Sequence, residues 1–299
     1  MIEVRNVTKE FSGGTRALSG LTMTVPKGSV YGLVGPNGSG KSTLIRHITG
    51  IYRQDEGEIL IGGEPVYENP AVKARIAYIP DDVFYFTQSG VRDMMKYYKG
   101  IYPGFDTDRY EKLKAVFTEL NEKKPIRTMS KGMQKQAAFW LQLCLRSEVM
   151  VLDEPVDGLD PVMRRQVWGL IMADAAEHGT TVLVSSHNLR ELEDVCDHVG
   201  ILDHGRLLLE RSLDELQGNI TKLQIALPDG AELPEGLDVM HATATGKLRT
   251  LIVRGDTEAV QSRLREAEPM FMEAVPLTLE EIFIYELGGA DDGLKDILL

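Results

Sequence analysis

The hydrophobic pattern of the chain predicts buried parallel strands around a glycine-rich loop. Residues 21–25 alternate between apolar and polar side chains, which is typical of a strand with one buried face. Residues 29–34, 149–152 and 180–184 are instead largely apolar runs. Such runs are typical of parallel strands that are covered on both faces. The pattern therefore predicts an α/β domain, with a helix over residues 42–51 directly after the loop.

The middle of the chain changes to helical spacing. Between residues 88 and 145, apolar side chains recur at helical intervals on two stripes, which predicts a helical subdomain inserted into the sheet domain. The stripes are formed by Val91, Met94, Met95 and Tyr98, and by Tyr110, Leu113, Val116, Phe117 and Leu120.

The last part of the chain has a third pattern. Residues 223–227 alternate as in a strand, and residues 257–268 have helical spacing. A capping box at residues 278–281 predicts the start of another helix. We therefore predict a large domain over residues 1–218 and a small α+β appendage over residues 219–299.

Composition and charge narrow the class of protein. The chain has 43% hydrophobic and 26% charged residues, close to the average for a soluble globular protein. A net charge of −12 disfavours a protein that wraps nucleic acid, because neutralising phosphates requires a surplus of Lys and Arg. No run approaches the roughly 18 apolar residues of a membrane span, so we expect a cytosolic chain. Cys144 and Cys196 are isolated in sequence, which fits a reducing compartment.

A segment between a predicted strand and a predicted helix matches the phosphate-binding pattern G-x-x-x-x-G-K-[ST]. Its glycines let backbone N–H groups approach phosphates, and the helix N-terminus adds a partial positive charge. We predict that Lys41 contacts the β- and γ-phosphates of a nucleotide and that Ser42 supplies a hydroxyl to Mg²⁺. The alternative is a glycine-rich structural turn. The predicted cradle consists of Gly35, Pro36, Asn37, Gly38, Ser39, Gly40, Lys41, Ser42 and Thr43.

Two adjacent acids follow the apolar run at residues 149–152. Asp153 and Glu154 stand at the end of a predicted buried strand, where an α/β sheet presents its ligand crevice. We predict that Asp153 holds the Mg²⁺ shell and that Glu154 polarises the water that attacks ATP. The alternative is a pair of helix-capping or surface acids.

Further motifs occur in the order found in the ATPase subunits of ABC transporters, and the chain resembles that family over about residues 1–215. Residues 129–133, Met-Ser-Lys-Gly-Met, resemble the signature motif, and residues 156–160 resemble the loop that crosses the dimer interface. Phe11 resembles the aromatic residue that stacks on adenine. His187 resembles the switch histidine near the γ-phosphate.

The resemblance implies a P-loop NTPase fold of the ABC ATPase type. In that fold a mostly parallel core sheet carries antiparallel edge strands, and a helical subdomain is inserted into it. Ser130, Gly132 and Asp160 are then expected to contact nucleotide across the interface of a dimer. The second subunit is either an identical copy or a related paralogue.

The motifs depart from the usual family pattern at two places. The strand at residues 76–81 leads to Asp81, where the family usually has glutamine, and Asp81 is our candidate for a further Mg²⁺ ligand. In the signature motif Lys131 replaces a glycine and Met133 replaces a glutamine. These features and the C-terminal extension resemble the ATPases of ABC-2-type exporters, including the bacitracin-resistance and Ytr-like groups.

The resemblance also implies ATP hydrolysis coupled to transport, with ATP and Mg²⁺ as cofactors and closure of the dimer as the driving motion. Separate transmembrane permease subunits would then hold the ATPase at the cytoplasmic face of the membrane. Residues 82–105 are the candidate dock, and its aromatic residues Phe84, Tyr85 and Phe86 either face the permease or pack internally. Two other functions stay open, namely a soluble ABC ATPase that acts on ribosomes or nucleic acid, and a regulator that binds nucleotide without hydrolysing it.

Overall fold

A computed structural model describes residues 1–218, 220–228 and 231–287. The chain divides into two compact units. The first contains Met1–His187 and Val195–Glu210, and the second contains Asn188–Asp194 and the chain from Arg211 onward. The boundary predicted after residue 218 stays a prediction, and the short segment from Asn188 to Asp194 is a part of the second unit that the sequence pattern does not indicate.

The elements up to residue 212 lie mainly in the first unit. The strands are β1 (Ile2–Phe11), β2 (Thr15–Val25), β3 (Val30–Val34), β4 (Glu56–Ile61), β5 (Glu64–Pro65), β6 (Ile76–Ile79), β7 (Val149–Asp153), β8 (Thr181–Ser186), β9 (His198–Asp203) and β10 (Arg206–Ser212). The α-helices are α1 (Lys41–Ile48), α2 (Pro70–Lys73), α3 (Val91–Ile101), α4 (Thr107–Leu113), α5 (Lys131–Gln142) and α6 (Pro161–His178).

The central sheet of this unit has the strand order β10-β9-β3-β8-β7-β6. Strands β9, β3, β8, β7 and β6 pair in parallel, and every residue of β3, β7 and β8 is buried. The predicted buried parallel strands are therefore confirmed. Because β3, β8 and β7 are neighbours and run in the same direction, the residues that follow each of them meet at one edge of the sheet.

A second sheet supplies the antiparallel strands and closes the core. Its order is β2-β1-β4-β5, and its inner face packs with the central sheet around α1. The core between them includes Val4, Met23, Leu33, Ile45 and Val151, each less than 1% exposed. Truncating one of these large aliphatic side chains to alanine costs about 2–5 kcal/mol by the usual cavity effect. The position of α1, and with it the phosphate loop, is thus fixed by the core.

The predicted helical region contains α3, α4 and α5, but the second apolar stripe is helical only as far as Leu113. Beyond it the backbone forms turns, in which the N–H of Val116 bonds to the carbonyl of Leu113. Phe117 is nevertheless buried and stacks on Trp140 of α5, with ring centroids 5.8 Å apart. Spacing of three and four residues suits successive turns as well as a helix, so the apolar stripe predicted burial correctly and the length of the helix wrongly.

The second unit forms a small sheet covered by a helix. Its elements are α7 (Leu213–Gly218), β11 (Ile220–Ala226), β12 (Asp238–Thr245), β13 (Leu248–Arg254), α8 (Thr257–Leu264), β14 (Phe271–Val275) and α9 (Leu279–Leu287). The strand order is β12-β13-β11-β14, with every pairing antiparallel. Leu223, Leu251 and Val260 pack in its core. The predicted capping box is present, since the N–H of Glu281 bonds to Thr278 Oγ1 at 3.2 Å and the N–H of Thr278 bonds to Glu281 Oε2 at 3.0 Å.

Candidate nucleotide site

The glycine-rich loop lies between β3 and α1, at the edge of the sheet where the central strands end. Two of its glycines leave no room for a side chain. A Cβ on Gly35 would lie 2.1 Å from the carbonyl oxygen of Leu202, and one on Gly40 would lie 2.7 Å from that of Ala17. Gly40 also has a φ of 110°, which other residues rarely adopt. The loop is therefore held close to its surroundings, with the N-terminus of α1 directly behind it.

The lysine of this loop is buried and points back over it. Lys41 Nζ donates to the carbonyl oxygens of Gly35 at 2.6 Å and Pro36 at 3.2 Å. It also lies 3.7 Å from Glu154 Oε1. Burial lowers the pKa of Lys41, and the nearby charges of Glu154 and Asp153 oppose that shift. A cation enclosed in this way favours an anion beside it, because burying a charge is costly unless it is paired.

The loop also contains a buried serine hydroxyl. Ser39 is 2% exposed, and its Oγ has no hydrogen-bond partner within the described residues. A buried hydroxyl without a partner is costly, so the position favours a ligand that accepts its hydrogen bond. Phosphate oxygens are such acceptors. This hydroxyl, together with Lys41 and the free N–H groups that begin any α-helix, fits a nucleotide phosphate tail.

Three oxygen-bearing side chains meet beside the loop. Ser42 Oγ donates to Asp153 Oδ1 at 3.2 Å, and Ser185 Oγ donates to the same oxygen at 2.6 Å. Asp153 is 2% exposed and ends β7, while Ser42 lies in the first turn of α1. Hydroxyl and carboxylate oxygens are the ligands that Mg²⁺ prefers, usually with phosphate oxygens and waters. The donor set thus fits a magnesium ion held by Ser42 and Asp153.

Glu154 follows β7 with a strained backbone and a partly buried carboxylate. Its φ is 45°, which is uncommon for a residue other than glycine. Its N–H bonds to the carbonyl oxygen of Ser185 at 3.3 Å and to Ser185 Oγ at 3.2 Å. His187 Nδ1 lies 2.9 Å from Glu154 Oε2. Burial raises the pKa of Glu154, while the hydrogen bond from His187 and the charge of Lys41 lower it in part.

The signature residues lie at the start of α5. Ser130 is its N-cap and accepts a hydrogen bond from the N–H of Met133 at 3.3 Å. Gly132 lies so close to the following loop that a Cβ would be 2.4 Å from the carbonyl oxygen of Gly158. Asp160 is the N-cap of α6 and accepts hydrogen bonds from two N–H groups of the first turn. These motifs therefore form helix starts, a role that the sequence analysis did not assign to Ser130 or Asp160.

Phe11 lies at the end of β1 and is 36% exposed. Its ring meets that of Tyr52 edge to face, with centroids 5.7 Å apart. Lys9 Nζ lies 5.8 Å from the same ring. No sequence pattern indicates Tyr52, because nothing in its neighbourhood forms a motif. A half-exposed ring remains available for stacking, so the predicted adenine contact stays a prediction.

Asp81 has a partner that the sequence did not indicate. Its Oδ1 lies 3.3 Å from the ammonium nitrogen of Lys135 on α5, and Asp81 remains 56% exposed. Lys135 also donates to the backbone carbonyl of Glu154. The only signal in the sequence was a lysine at the start of the apolar stretch of α5. The Mg²⁺ role predicted for Asp81 stays a prediction.

The three aromatic residues after Asp81 behave differently from one another. Phe84 is 78% exposed and Phe86 is 46% exposed. Tyr85 is only 3% exposed, and its hydroxyl donates to the carbonyl oxygen of Gln134. Of the two alternatives left open by the sequence, internal packing holds for Tyr85, and surface exposure holds for Phe84 and Phe86. Successive side chains of this segment alternate between the surface and the interior. The segment therefore anchors itself through one aromatic ring and exposes the other two.

The loop and the acids of this site identify the class of protein. A phosphate loop before a helix, and paired acids at the end of another parallel strand of the same sheet, together define a P-loop ATPase. A family model described as ABC transporter matches residues 18–157. The ABC transporter ATP-binding protein YtrB of Bacillus subtilis is 33% identical over 290 residues, which cover 97% of this chain and 99% of that protein. The chain belongs to the ATP-binding proteins of ABC transporters.

Other comparisons agree with this family. The daunorubicin resistance ATP-binding protein DrrA3 of Streptomyces coeruleorubidus is 29% identical, with 95% of each chain covered. A solved structure of an ATP-binding subunit of an ABC transporter is 27% identical with a TM-score of 0.67, covering 73% of this chain and 92% of that one. The protein is therefore an ATP-binding subunit and an ATPase of the ABC type. Nothing in these comparisons supports the ribosome, nucleic-acid or non-hydrolysing alternatives.

Proposed function

We propose that the protein powers export through a separate permease by binding ATP between two ATPase subunits and hydrolysing it at Glu154. The observation that carries this proposal is the meeting of Lys41, Glu154 and His187 at one edge of the central sheet. The ammonium group of Lys41 is suited to binding the phosphates, and the carboxylate of Glu154 is suited to orienting the attacking water. The imidazole of His187 is suited to holding that carboxylate. Glu154 and His187 directly follow β7 and β8, and Lys41 begins the helix after β3, so all three lie at the same edge of consecutive parallel strands.

Glu154 is the general base in this proposal. Its carboxylate is enclosed enough for burial to raise the pKa, which makes it a better proton acceptor than an exposed glutamate. The hydrogen bond with His187 fixes one carboxylate oxygen, so the other is left near Lys41. When ATP is bound, Lys41 would turn from Glu154 and the loop carbonyls toward phosphate. The carboxylate is then free to orient water.

Ser42 and Asp153 would hold Mg²⁺ in the same site. Bound there, the ion would neutralise charge on the phosphate oxygens during transfer. Ser185 supports this arrangement from β8, since it donates to the Asp153 carboxylate and accepts from the backbone of Glu154. One serine thus connects the metal ligand with the proposed base.

A second subunit would complete the site. Ser130 and Gly132 lie at the N-terminus of α5, which carries the partial positive charge that favours a bound phosphate. In the proposed dimer these residues of one subunit cover the ATP held by the phosphate loop of the other. ATP then joins the two subunits, and hydrolysis releases them. The partner is either an identical copy or a related paralogue.

A separate permease would receive this motion. None of the helices in the part of the chain that the structure describes is long and apolar enough to cross a membrane. The proposed dock comprises the exposed side chains of this region, and the rings of Phe86 and Tyr97 meet edge to face with centroids 5.1 Å apart. The exposed side chains are Phe84, Phe86, Tyr97 and Ile101. Export is favoured over import because the relatives of the chain include a daunorubicin resistance protein and a Nod factor export protein.

Replacing Glu154 with Gln tests the hydrolytic assignment. The amide keeps the size of the side chain but cannot accept the proton, so kcat should fall by about 10²- to 10⁴-fold. ATP affinity, measured by calorimetry, should change little because the phosphate cradle is intact. Glu177→Gln on the exposed face of α6 is the matched control and should hydrolyse ATP normally. Normal turnover by Glu154→Gln would exclude Glu154 as the base.

A further inference from the structure

We infer that Lys135 is a positioning residue for Glu154 and that Asp81 anchors Lys135. The inference rests on the proposed role of Glu154 as the base and adds two residues to its support. In this arrangement one buried ammonium connects the loop after β6 with the backbone of the hydrolytic glutamate. Asp81 then acts through Lys135 rather than as a ligand of Mg²⁺.

Lys135 is buried far more than a lysine usually is. It is 4% exposed and lies in the first half of α5, where its neighbours toward the C-terminus are the core residues Ala137 to Leu141. Its Nζ donates to the carbonyl oxygen of Glu154 and lies 3.3 Å from Asp81 Oδ1. A buried ammonium is costly unless it is paired and hydrogen-bonded. The contacts with Asp81 and with the carbonyl of Glu154 therefore both help to fix the position of this ammonium.

The contact with Glu154 falls on a backbone that needs support. A φ of 45° is a strained conformation for glutamate, and strained residues persist only where their surroundings fix them. Ser185 holds the N–H of Glu154, and Lys135 holds its carbonyl. The peptide groups on both sides of the Glu154 Cα are thus held by hydrogen bonds. Since the carboxylate direction follows from this backbone, Lys135 controls where the base points.

Lys135 does this without neutralising the carboxylate. The cation near the carboxylate is Lys41, 3.7 Å from Oε1, whereas Lys135 contacts the backbone oxygen. Lys135 can therefore stay in place while Lys41 turns to phosphate. The pair also accounts for the acid at position 81, since the negative charge of Asp81 is balanced by Lys135 instead of standing alone beside the phosphates.

Replacing Lys135 tests the positioning role. Lys135→Met keeps the length of the side chain and removes its donor, so kcat should fall about 10- to 100-fold, as expected for a displaced catalytic group. ATP affinity should stay within about threefold, because the residue does not touch the phosphate cradle. Lys135→Gln keeps an N–H donor and should recover part of the rate. Lys112→Met, at an exposed position of α4, is the matched control and should behave like the wild type.

Asp81→Asn separates the two roles proposed for Asp81. If Asp81 acts through Lys135, kcat should fall less than in Lys135→Met, the Mg²⁺ concentration for half-maximal rate should not change, and the substitution should add nothing in the Lys135→Met background. A raised Mg²⁺ requirement that persists in that background would overturn the inference in favour of a metal ligand. Asp81 is more than half exposed, so this variant should fold even if Lys135→Met does not.

The outcome for Glu154→Gln distinguishes failure of this inference from failure of the proposed function. An inactive Glu154→Gln together with a fully active Lys135→Met would overturn the inference alone. Full activity of Glu154→Gln would remove the base that Lys135 is proposed to position. Equal loss of ATP affinity and kcat in both Lys135 variants would show a general structural role and would also overturn the inference.

Discussion

At the scale of single residues, Glu154 is held by groups with different tasks. Ser185 and Lys135 fix its backbone, and His187 contacts its carboxylate. Burial raises the pKa of this carboxylate, so a larger share of molecules carries it protonated in mildly acidic solution than for an exposed glutamate. Only the ionised form accepts a proton. The acid limb of the rate profile should therefore reflect this group.

Replacing His187 with Ala should move this limb to higher pH. The hydrogen bond from His187 lowers the pKa of Glu154, so its removal lets the pKa rise further, and the ionised base is lost at a higher pH as acid is added. The plateau rate should fall as well, since one carboxylate oxygen loses its partner. The measurement is kcat/KM against pH, which reports ionisations of the nucleotide-free enzyme, over the range where circular dichroism shows a folded protein.

The exposed His241 of β12 provides the control, and His241→Ala should leave the limb in place. A limb that stays at the wild-type pH in His187→Ala would separate His187 from the ionisation of Glu154. The free energy of unfolding depends on pH in the opposite direction to the rate, because the rate rises and the stability falls as Glu154 ionises. A raised carboxyl pKa makes ionisation in the folded state costly, and that cost is absent below the ordinary glutamate pKa and grows as the pH rises through the raised one.

Motifs at this scale were readable from the sequence where function fixes residue types. The spacing of Gly35, Lys41 and Ser42 identified the phosphate loop, because glycine, cation and hydroxyl each have a separate chemical reason to be there. Lys135 and Tyr52 were not found. Their roles depend on which distant segment packs against them, and Lys135 meets Asp81 across 54 positions of sequence. Such contacts are set by tertiary packing, which leaves no local pattern.

At the scale of secondary-structure elements, strands were predicted better than helix ends. A buried parallel strand such as β7 needs apolar side chains on both faces, so its sequence shows where it lies. The end of α4 has no such signal. Its final turn passes into further turns that keep the apolar side chains of residues 113–120 in the same core. Burial could therefore be read from the pattern, while the hydrogen bonding could not.

The segment before α3 gives a prediction at this scale. Phe84 and Phe86 are exposed, the Phe86 ring contacts that of Tyr97, and we expect both phenylalanines to contact the permease. Phe84→Ser and Phe86→Ser should lower the amount of permease that co-purifies from membranes with the tagged ATPase. ATP hydrolysis by the isolated subunit should stay near wild type, because neither side chain belongs to the nucleotide site. Phe271→Ser, at a similarly exposed phenylalanine of β14, should leave co-purification unchanged.

An unchanged recovery of permease with both substitutions would remove this surface as the dock. Replacing Tyr85 would not serve the same purpose. That ring is buried, so its truncation would open a cavity under the segment, at a typical cost of about 3–5 kcal/mol for a large aromatic side chain. A loss of permease binding in such a variant could come from the altered segment alone.

At the scale of the whole molecule, the described site is half of the proposed one. The phosphate loop and Glu154 meet within one chain. Ser130, however, is exposed at a helix N-terminus, where the partial charge favours an anion. A second subunit supplies that anion in the proposed dimer, as ATP held by its own phosphate loop. Closure of the dimer should then be sensitive to a negative charge introduced at position 130.

Ser130→Asp tests this dependence without removing the helix cap. Aspartate caps helices as well as serine does and suits the positive N-terminus of α5, so the fold should be unaffected. Its carboxylate would, however, repel the phosphates of ATP on the facing subunit.

In the Glu154→Gln background, light scattering should show a dimer with Mg-ATP and a monomer with ADP. Adding Ser130→Asp should keep the protein monomeric in Mg-ATP, although each subunit still binds ATP at its own loop. Asn69→Asp places the same charge at the N-cap of α2, outside the motifs, and should leave the dimer intact. A dimer that persists with Ser130→Asp would show that the signature residues do not close over the nucleotide of a second subunit.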